Sequence, residues 1–313
     1  MSCIVANSLV KSYGGIVAVD RIDLSVKSGK IFGFLGPNGA GKTTTIKLLT
    51  TLIAPTSGTI TILGIDATRH PLDVRKRIGV VLQQPSYEPT LSVEKSLEKY
   101  GMMWNVDKET GRDRLEELLS AFNLQEIRNR KNEDLSIGQR RRVQVAREFM
   151  HDMELLFLDE PTVGLDPSAR RGLLDFVKKK VKDGLTVFFT THILDEAEYI
   201  CDEIAIINKG RIIAIDTPDE LKNKFGREKT IKVRLQEPRK DLENLLTGVK
   251  GYELEFNSGS NITIRSNDSE EVLLKILQVL TANDIAIEDL SVVPTSLEEI
   301  FLTVVKNSNA SSD

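Results

Sequence analysis

The chain has little that would support a disulfide framework, a metal cluster or a membrane span. Its 313 residues include only two cysteines, Cys3 and Cys201, and neither belongs to a Cys-x-x-Cys pair. A disulfide scaffold or a cysteine zinc site is therefore excluded, and a reducing compartment is expected. The three histidines are scattered without the spacing of metal ligands. Apolar runs such as Leu155–Leu158 fall far short of the ~20 residues that a membrane span needs.

The charge also lacks a dominant sign. Lys and Arg number 42 against 46 Asp and Glu, which gives a net charge of −4. This balance argues against nucleic acid as a partner. Residues 1–7 show no basic region followed by an apolar run, so no signal peptide is predicted. The length and the 40% hydrophobic content predict two globular domains.

Short apolar runs alternate with helical patterns along most of the chain. They predict strands near residues 17–26, 30–35, 59–63, 78–82, 154–158, 186–190 and 203–208. Between about residues 88 and 152 the period is that of helices, which predicts an inserted helical subdomain. Strand, helix and strand in succession predict an α/β fold with a mixed, mainly parallel sheet. The tripeptide Asn208–Gly210 predicts a hairpin turn.

A second domain is predicted after residue 225. Thr217–Glu220 has the pattern of a helix start, and the short helix to Phe225 is expected to end a first domain of residues 1–225. Residues 226–229 are the expected linker. Residues 226–305 alternate strand and helix patterns and predict a small accessory α+β domain. The polar residues 306–313 are expected to be a disordered tail.

One glycine-rich segment follows a predicted strand and opens a predicted helix. It fits G-x-x-x-x-G-K-[ST] with Gly36, Pro37, Asn38, Gly39, Ala40, Gly41, Lys42 and Thr43. In this context the motif cradles phosphates with backbone N–H groups, Lys42 reaches the β- and γ-phosphates, and the Thr43 hydroxyl binds Mg²⁺. Thr44 is included in the expected phosphate site. The loop alone predicts a nucleotide site.

Two carboxylates follow the apolar strand Leu155–Leu158. Asp159 suits a Mg²⁺ ligand opposite Thr43, and Glu160 points elsewhere because strand side chains alternate. Glu160 is positioned to polarise an attacking water. Alone, such a pair is more often a solvated strand end. Together with the phosphate loop it predicts a nucleoside triphosphatase.

A third motif narrows the class. Leu135–Gln139 reads Leu-Ser-Ile-Gly-Gln, and it resembles the Leu-Ser-Gly-Gly-Gln signature of ATP-binding cassette (ABC) transporter nucleotide-binding domains. The resemblance covers roughly residues 3–225 and implies a P-loop NTPase core of the RecA-like type. It assigns Ser136, Gly138 and Gln139 to phosphate contacts. Ile137 replaces a glycine, so an ordinary backbone is expected there.

The resemblance also assigns roles to four further positions. Tyr13 is placed to stack on adenine. Gln83 is placed to touch Mg²⁺ and the attacking water, although Gln84 leaves the register open by one. Asp166 closes Gly164–Asp166, the loop that connects two nucleotide sites. His192 matches the switch histidine that contacts the γ-phosphate.

In that family, two chains pack head to tail, with ATP between Lys42 of one and Ser136 of the other. The implied cofactors are ATP and Mg²⁺, and the implied catalytic residues are Lys42, Glu160 and His192. The implied partners are transmembrane permease subunits and a second nucleotide-binding subunit, either a copy of the chain or a homologue. The chain is then expected in the cytoplasm, on the inner face of the cell membrane through the permease.

Three segments resemble the daunorubicin-resistance type of exporter ATPase, namely Ile78–Gln83, Gln139–Arg142 and Pro294–Phe301. Export is expected on this basis, while the cargo stays open. The arginine triplet within Gln139–Arg142 is expected to face solvent, acidic neighbours or the nucleotide interface. The alternatives are a soluble ABC-type ATPase of translation or DNA maintenance and a non-catalytic ATP sensor.

Overall fold

The computed structural model describes residues 1–84, 86–225, 229–239, 245, 253–258, 260–266, 269–293 and 296–310. The chain divides into two compact units, Met1–Pro218 and Asp219–Asp313. The division thus falls after Pro218. The sequence predicted a later boundary, after the helix that ends at Phe225. Most of the expected linker, residues 226–228, lies outside the described residues.

Two sheets form the β-structure of the first unit. Its strands are β1 (Ser2–Tyr13), β2 (Ile16–Lys27), β3 (Ile31–Leu35), β4 (Ser57–Ile62), β5 (Ile65–Asp66), β6 (Ile78–Val81), β7 (Leu155–Asp159), β8 (Thr186–Thr191), β9 (Glu203–Asn208) and β10 (Arg211–Asp216). An antiparallel sheet has the order β2-β1-β4-β5. The six-stranded central sheet has the order β10-β9-β3-β8-β7-β6, and only the β9–β10 pair is antiparallel. The predicted mixed, mainly parallel sheet is confirmed.

Eight α-helices accompany these strands among the described residues up to Phe225. They are α1 (Lys42–Leu49), α2 (Pro71–Arg75), α3 (Val93–Met103), α4 (Lys108–Ala121), α5 (Ile137–Glu148), α6 (Pro167–Lys182), α7 (Leu194–Ile200) and α8 (Pro218–Phe225). Helices α3 to α5 lie within the predicted helical subdomain. Ser92 and Asp107 begin α3 and α4 because their side chains accept hydrogen bonds from backbone N–H groups of the first turn. Nowhere in the described ranges is a helix both long and apolar enough to span a membrane.

The centre of the first unit is an aromatic core between buried parallel strands. Every residue of β3, β7 and β8 is buried, as expected for strands covered on both faces. The Phe188 ring lies 5.7, 5.4 and 5.6 Å from the rings of Phe32, Phe34 and Phe157. These contacts hold the carboxyl ends of β3, β7 and β8 side by side. In open α/β sheets, ligands bind at that edge.

The predicted hairpin turn is confirmed between β9 and β10. Lys209 and Gly210 both have positive φ, 47° and 79°, as a type I′ turn requires. The Gly210 N–H donates to the Ala40 carbonyl at 2.9 Å, and the Asp20 N–H donates to the Gly210 carbonyl at 2.9 Å. The turn therefore supports the glycine-rich loop.

The second unit is a small α+β domain. It includes α8 from Asp219 onward, and its further described elements are β11 (Lys229–Leu235), β12 (Glu253–Ser258), β13 (Asn261–Ser266), α9 (Ser269–Ala282), β14 (Ile287–Val293) and α10 (Leu297–Ala310). The strands form an antiparallel sheet in the order β12-β13-β11-β14. Ile231 and Ile264 pack with Ile276 of α9 in its core.

Helix α10 continues beyond Lys306, where the sequence analysis expected a disordered tail. No proline or glycine interrupts residues 306–310, so the backbone hydrogen bonds of the helix can continue through this polar segment. Residues 311–313 lie outside the described residues.

A buried carboxylate fastens α5 to the central sheet. Glu148 is only 3% exposed, and it accepts hydrogen bonds from the Tyr100 hydroxyl at 2.9 Å and from the Val80 N–H at 3.2 Å. Burial raises the pKa of Glu148, while the nearby Arg147 guanidinium acts in the opposite direction. Because an unsatisfied buried carboxylate is costly, these donors hold α3, α5 and β6 together.

Tyr100→Phe should lower the free energy of unfolding by about 1–3 kcal/mol, because it removes one donor to a buried acceptor and keeps the ring. Urea unfolding of the full chain measures the loss. Tyr199→Phe is the matched control, since its hydroxyl also donates to a carboxylate, Asp175, but at an exposed position. A loss at Tyr100 no larger than that at Tyr199 would contradict the role of Glu148.

Candidate functional site

The glycine-rich loop runs from the end of β3 to the start of α1. Gly39 and Gly41 have φ of 80° and 108°, in the left-handed region that glycine adopts without strain. A Cβ on Gly41 would lie 2.5 Å from the Ala18 carbonyl oxygen. Asn38 is exposed on the loop, and Thr44 follows in the first turn of α1. The loop conformation therefore requires glycine at these positions, as the phosphate-loop prediction assumed.

Lys42 folds back over this loop. Its Nζ donates to the carbonyl oxygens of Gly36 at 2.7 Å and Pro37 at 3.3 Å, and it lies 3.8 Å from the Glu160 Oε1. The side chain is 7% exposed. Burial lowers the pKa of Lys42, and the carboxylates of Glu160 and Asp159 oppose this shift. The ammonium group thus lies at the mouth of the loop, between backbone carbonyls and a carboxylate.

Asp159 joins three elements at the end of β7. Its Oδ2 accepts from the Thr43 hydroxyl at 2.9 Å, and its Oδ1 accepts from the Thr190 hydroxyl at 2.6 Å. The carboxylate is buried. The structure therefore brings Asp159 and Thr43 together, as expected from the sequence.

These oxygen atoms fit a magnesium ion. Mg²⁺ prefers oxygen ligands and is commonly held by one or two carboxylates together with substrate phosphates. Across the described ranges, no group of three or more His, Cys, Asp or Glu residues forms a complete metal cage. The Asp159 carboxylate and the Thr43 hydroxyl supply the protein side of such a shared site.

Glu160 has an unusual backbone and several side-chain partners. Its φ is 49°, in the left-handed region, which is uncommon for a residue other than glycine. Its Oε2 accepts from Gln83 Nε2 at 3.1 Å and lies 3.3 Å from His192 Nδ1. With Lys42 at 3.8 Å, the three predicted catalytic residues meet at one carboxylate. Gln83, and not the neighbouring Gln84, makes the side-chain contact.

The signature segment forms a cap at the start of α5. The Ser136 hydroxyl accepts from the Gln139 N–H at 3.2 Å, and the Gln139 side chain accepts from the Ser136 N–H at 2.9 Å. This is a capping box. Ile137 is the first residue of the helix and has no positive φ, so the ordinary backbone expected there is confirmed. Its side chain is 71% exposed.

The signature segment packs against the loop after β7. A Cβ on Gly138 would lie 2.6 Å from the Gly164 carbonyl oxygen. Asp166 follows in this loop and begins α6, where its side chain accepts from the Ala169 N–H at 2.9 Å. This hydrogen bond lowers the pKa of Asp166. The residues expected to contact a second nucleotide site thus form one cluster.

The phosphate loop and the signature make no polar contact with each other among the described residues. In the part of the chain that the structure describes, no hydrogen bond or ion pair joins Ser136 or Gln139 to residues 36–43. Tyr13 ends β1 and is about half exposed, with Lys11 Nζ 5.1 Å from its ring. The two segments are therefore not joined by hydrogen bonds or ion pairs within one chain, and the Tyr13 ring is accessible to solvent.

Sequence reasoning missed several residues that hold the site. Thr190 contacts both Asp159 and Glu160, and its position before His192 was the only signal. Glu196 of α7 is buried and accepts from the hydroxyls of Thr162 at 2.9 Å and Thr191 at 2.8 Å. It thereby links the loop after β7 to the segment that carries His192.

At the centre of the arginine triplet, the expected solvent exposure is wrong, whereas the expected acidic neighbours, Asp159 and Glu160, are found. Arg141 is buried, at 6% exposed, and it donates to backbone carbonyls of the site. Its guanidinium has enough N–H groups to satisfy several carbonyls at once, which makes burial tolerable.

Comparisons with known proteins agree with this geometry. Residues 19–163 match the ABC transporter family, and residues 217–305 match the C-terminal domain of DrrA1-3-like ATP-binding proteins. The daunorubicin/doxorubicin resistance ATP-binding protein DrrA of Streptomyces peucetius is 38% identical over 95% of this chain and 91% of its own length. The linearmycin resistance ATP-binding protein LnrL of Bacillus subtilis is 34% identical over 96% and 97%.

Solved structures show the same fold. An ATP-binding subunit of an ABC transporter superposes with a TM-score of 0.67 at 29% identity, covering 72% of this chain and 93% of that one. A dimeric ATP-binding cassette in a post-hydrolysis state, bound to ADP and Pi, gives 0.64 at 26% identity, covering 68% and 98%.

These findings support a transporter subunit and do not support the alternative role in translation or DNA maintenance. Both halves of the chain match the same group of relatives. The chain belongs to the ABC transporter ATP-binding proteins with a DrrA-like C-terminal domain, and it is an ATP-binding, ATP-hydrolysing transporter subunit.

Proposed function

We propose that two copies of the chain bind ATP and Mg²⁺ between facing half-sites and drive an exporter permease by closing and opening. The observation that carries this proposal is the separation of Lys42 from Ser136 within one chain. A second copy, packed head to tail, places the missing half against each phosphate loop. ATP then binds the two copies together, and its hydrolysis releases them.

The residues of the first half-site have distinct roles in this proposal. The loop N–H groups and Lys42 hold the β- and γ-phosphates, and Tyr13 stacks on adenine. Thr43 and Asp159, with Gln83, would hold Mg²⁺, which would supply positive charge to the phosphate oxygens. Ser136, Gly138 and Gln139 of the second copy contact the γ-phosphate side, next to Asp166.

Glu160 acts on water. In the structure its carboxylate faces Lys42, Gln83 and His192. A triphosphate offers Lys42 more negative charge than two neutral carbonyls do, so the ammonium turns to phosphate. Glu160 is then free to orient the attacking water and accept its proton. His192 and Lys42 stabilise the charge on the γ-phosphate in the transition state.

The membrane partner completes the proposal. The chain is held at the inner face of the cell membrane by membrane-spanning permease subunits, with the helical lobe of about residues 91–132, near Gln83, as the docking side. The relatives' names concern resistance to daunorubicin, doxorubicin and linearmycin. We extend this to the present chain as export of a toxic organic compound of that general kind, with residues 226–305 as an accessory domain.

Glu160→Gln should lower the rate of ATP hydrolysis by ~100-fold or more, because the amide cannot accept the proton from water. The variant should still bind ATP normally. Phosphate release and fluorescent-nucleotide binding measure the two steps. Glu154→Gln is the matched control at the other end of the same strand, where the carboxylate pairs with Arg77 at the surface. Full turnover by the Glu160 variant would remove Glu160 from the mechanism.

Affinity purification of the chain from its native membranes in mild detergent tests the partner. A polytopic membrane protein should be recovered in near-equal amount, and mass spectrometry identifies it. Recovery without a membrane protein, alone or with ribosomes or DNA-associated proteins, would contradict the permease proposal and leave the ATPase chemistry standing.

A further inference from the structure

One buried arginine, Arg141, donates hydrogen bonds to the backbone carbonyl groups at the carboxyl end of β7. Arg141 Nη2 donates to the carbonyls of Asp159 at 2.6 Å and Glu160 at 2.8 Å, and its Nε donates to that of Pro161 at 3.1 Å. Its Nη1 donates to the Leu82 carbonyl at 2.6 Å and to the Gln144 side chain at 2.8 Å. The five hydrogen bonds match the five N–H groups of a guanidinium.

The charge of this arginine is retained in spite of its burial. Burial lowers the pKa of Arg141 to about 10, and the carboxylates of Asp159 and Glu160 act in the opposite direction. The group is therefore protonated at neutral pH. A cation surrounded by neutral carbonyls binds them more strongly than a neutral donor does.

The arginine acts where the backbone is strained. Glu160 has a φ of 49°, in the left-handed region that residues other than glycine rarely adopt. Its N–H donates to the carbonyl and the hydroxyl of Thr190, both at 3.1 Å. Arg141 binds its carbonyl from the other side. Hydrogen bonds to β8 and α5 thus fix the backbone of Glu160, and this backbone sets the direction of its carboxylate.

The same face of α5 also holds the segment that carries Gln83. Gln144 Nε2 donates to the carbonyls of Leu82 at 3.3 Å and Gln84 at 3.1 Å, and Arg147 donates to that of Ser86 at 3.0 Å. Positions three apart on a helix share a face. They therefore bind alternate carbonyls of the segment, while the Gln83 side chain reaches Glu160.

We infer that Arg141 is a positioning residue for ATP hydrolysis. It fixes the orientation of the Glu160 and Gln83 side chains and does not contact the nucleotide. The inference rests on the proposed role of Glu160 toward water. It predicts that loss of Arg141 slows the chemical step and leaves nucleotide binding unchanged, because the phosphate loop and Lys42 make no hydrogen bond to Arg141.

Arg141→Lys and Arg141→Gln test this in the full chain with its co-purified permease. Lysine keeps the charge and up to three N–H donors, so its kcat should fall by about 10-fold, and that of the glutamine variant by about 100-fold. KM for ATP and fluorescent-nucleotide affinity should stay within about threefold of the unsubstituted chain.

Arg142→Lys is the matched control. Arg142 is the next residue of the same helix, and its guanidinium donates to the carbonyls of Phe122 and Asn123, away from Glu160. Its kcat should stay within about twofold of the unsubstituted chain. Unchanged kcat in both Arg141 variants, or equal losses in Arg141→Lys and Arg142→Lys, would overturn the inference. A rise in KM that accounts for the whole loss would overturn it as well.

Thermal melting shows whether the variants fold. If the Arg141 variants lose cooperative melting, Gln144→Leu decides, since it keeps Arg141 and removes the side chain that holds Arg141 and the carbonyls of Leu82 and Gln84. A several-fold fall in its kcat at constant KM supports the inference, and a normal kcat overturns it. Glu160→Gln is measured in parallel. Full turnover by Glu160→Gln would refute the proposed role of Glu160 itself. If Glu160→Gln is inactive and the Arg141 variants are fully active, only the positioning role of Arg141 is refuted.

Discussion

The first unit depends on how the carboxyl end of one buried strand is held. Strand β7 ends in Asp159 and Glu160, whose backbone and side chains would be costly to bury without partners. Thr43 and Thr190 satisfy the Asp159 carboxylate, and Arg141 satisfies the carbonyls of both residues. Each of these donors lies on a different element. The phosphate loop, β8 and α5 are thus fixed relative to one another by the groups that carry the chemistry.

This arrangement relates the two proposed half-sites on one chain. In the proposal, the phosphate loop with Glu160 forms the first, and the capped start of α5 packed against Gly164 forms the second. Helix α5 belongs to both, because it begins at the signature and holds the β7 end one turn later through Arg141. Relatives with the same two domains, and a related cassette that is dimeric with ADP and Pi, agree with chemistry shared between two subunits.

The sequence predicted what is local, and it missed what depends on distant partners. Lys42 and Asp159–Glu160 were recognised because each motif lies within a few residues, and the apolar runs predicted the central sheet. Strand β1 was missed because its pairing with β2 and β4 contains register shifts that break the alternation. For the arginine triplet the sequence left solvent, acidic neighbours and the nucleotide interface open, because no local pattern shows which carbonyls the buried Arg141 guanidinium meets. Thr190 and Arg141 hold the Glu160 backbone in its left-handed conformation. No periodic pattern in the sequence indicates that these residues lie close together.

The central claim is that a working site needs the phosphate loop of one chain and the signature of another. Mixing two variants tests it most directly, since Lys42→Ala breaks one half-site and Ser136→Arg breaks the other. Each variant alone should be inactive. An equal mixture should recover about a quarter of normal ATP hydrolysis, because half of the dimers are mixed and each holds one intact site of two. A mixture as inactive as its components would contradict the claim and place the complete site within a single chain.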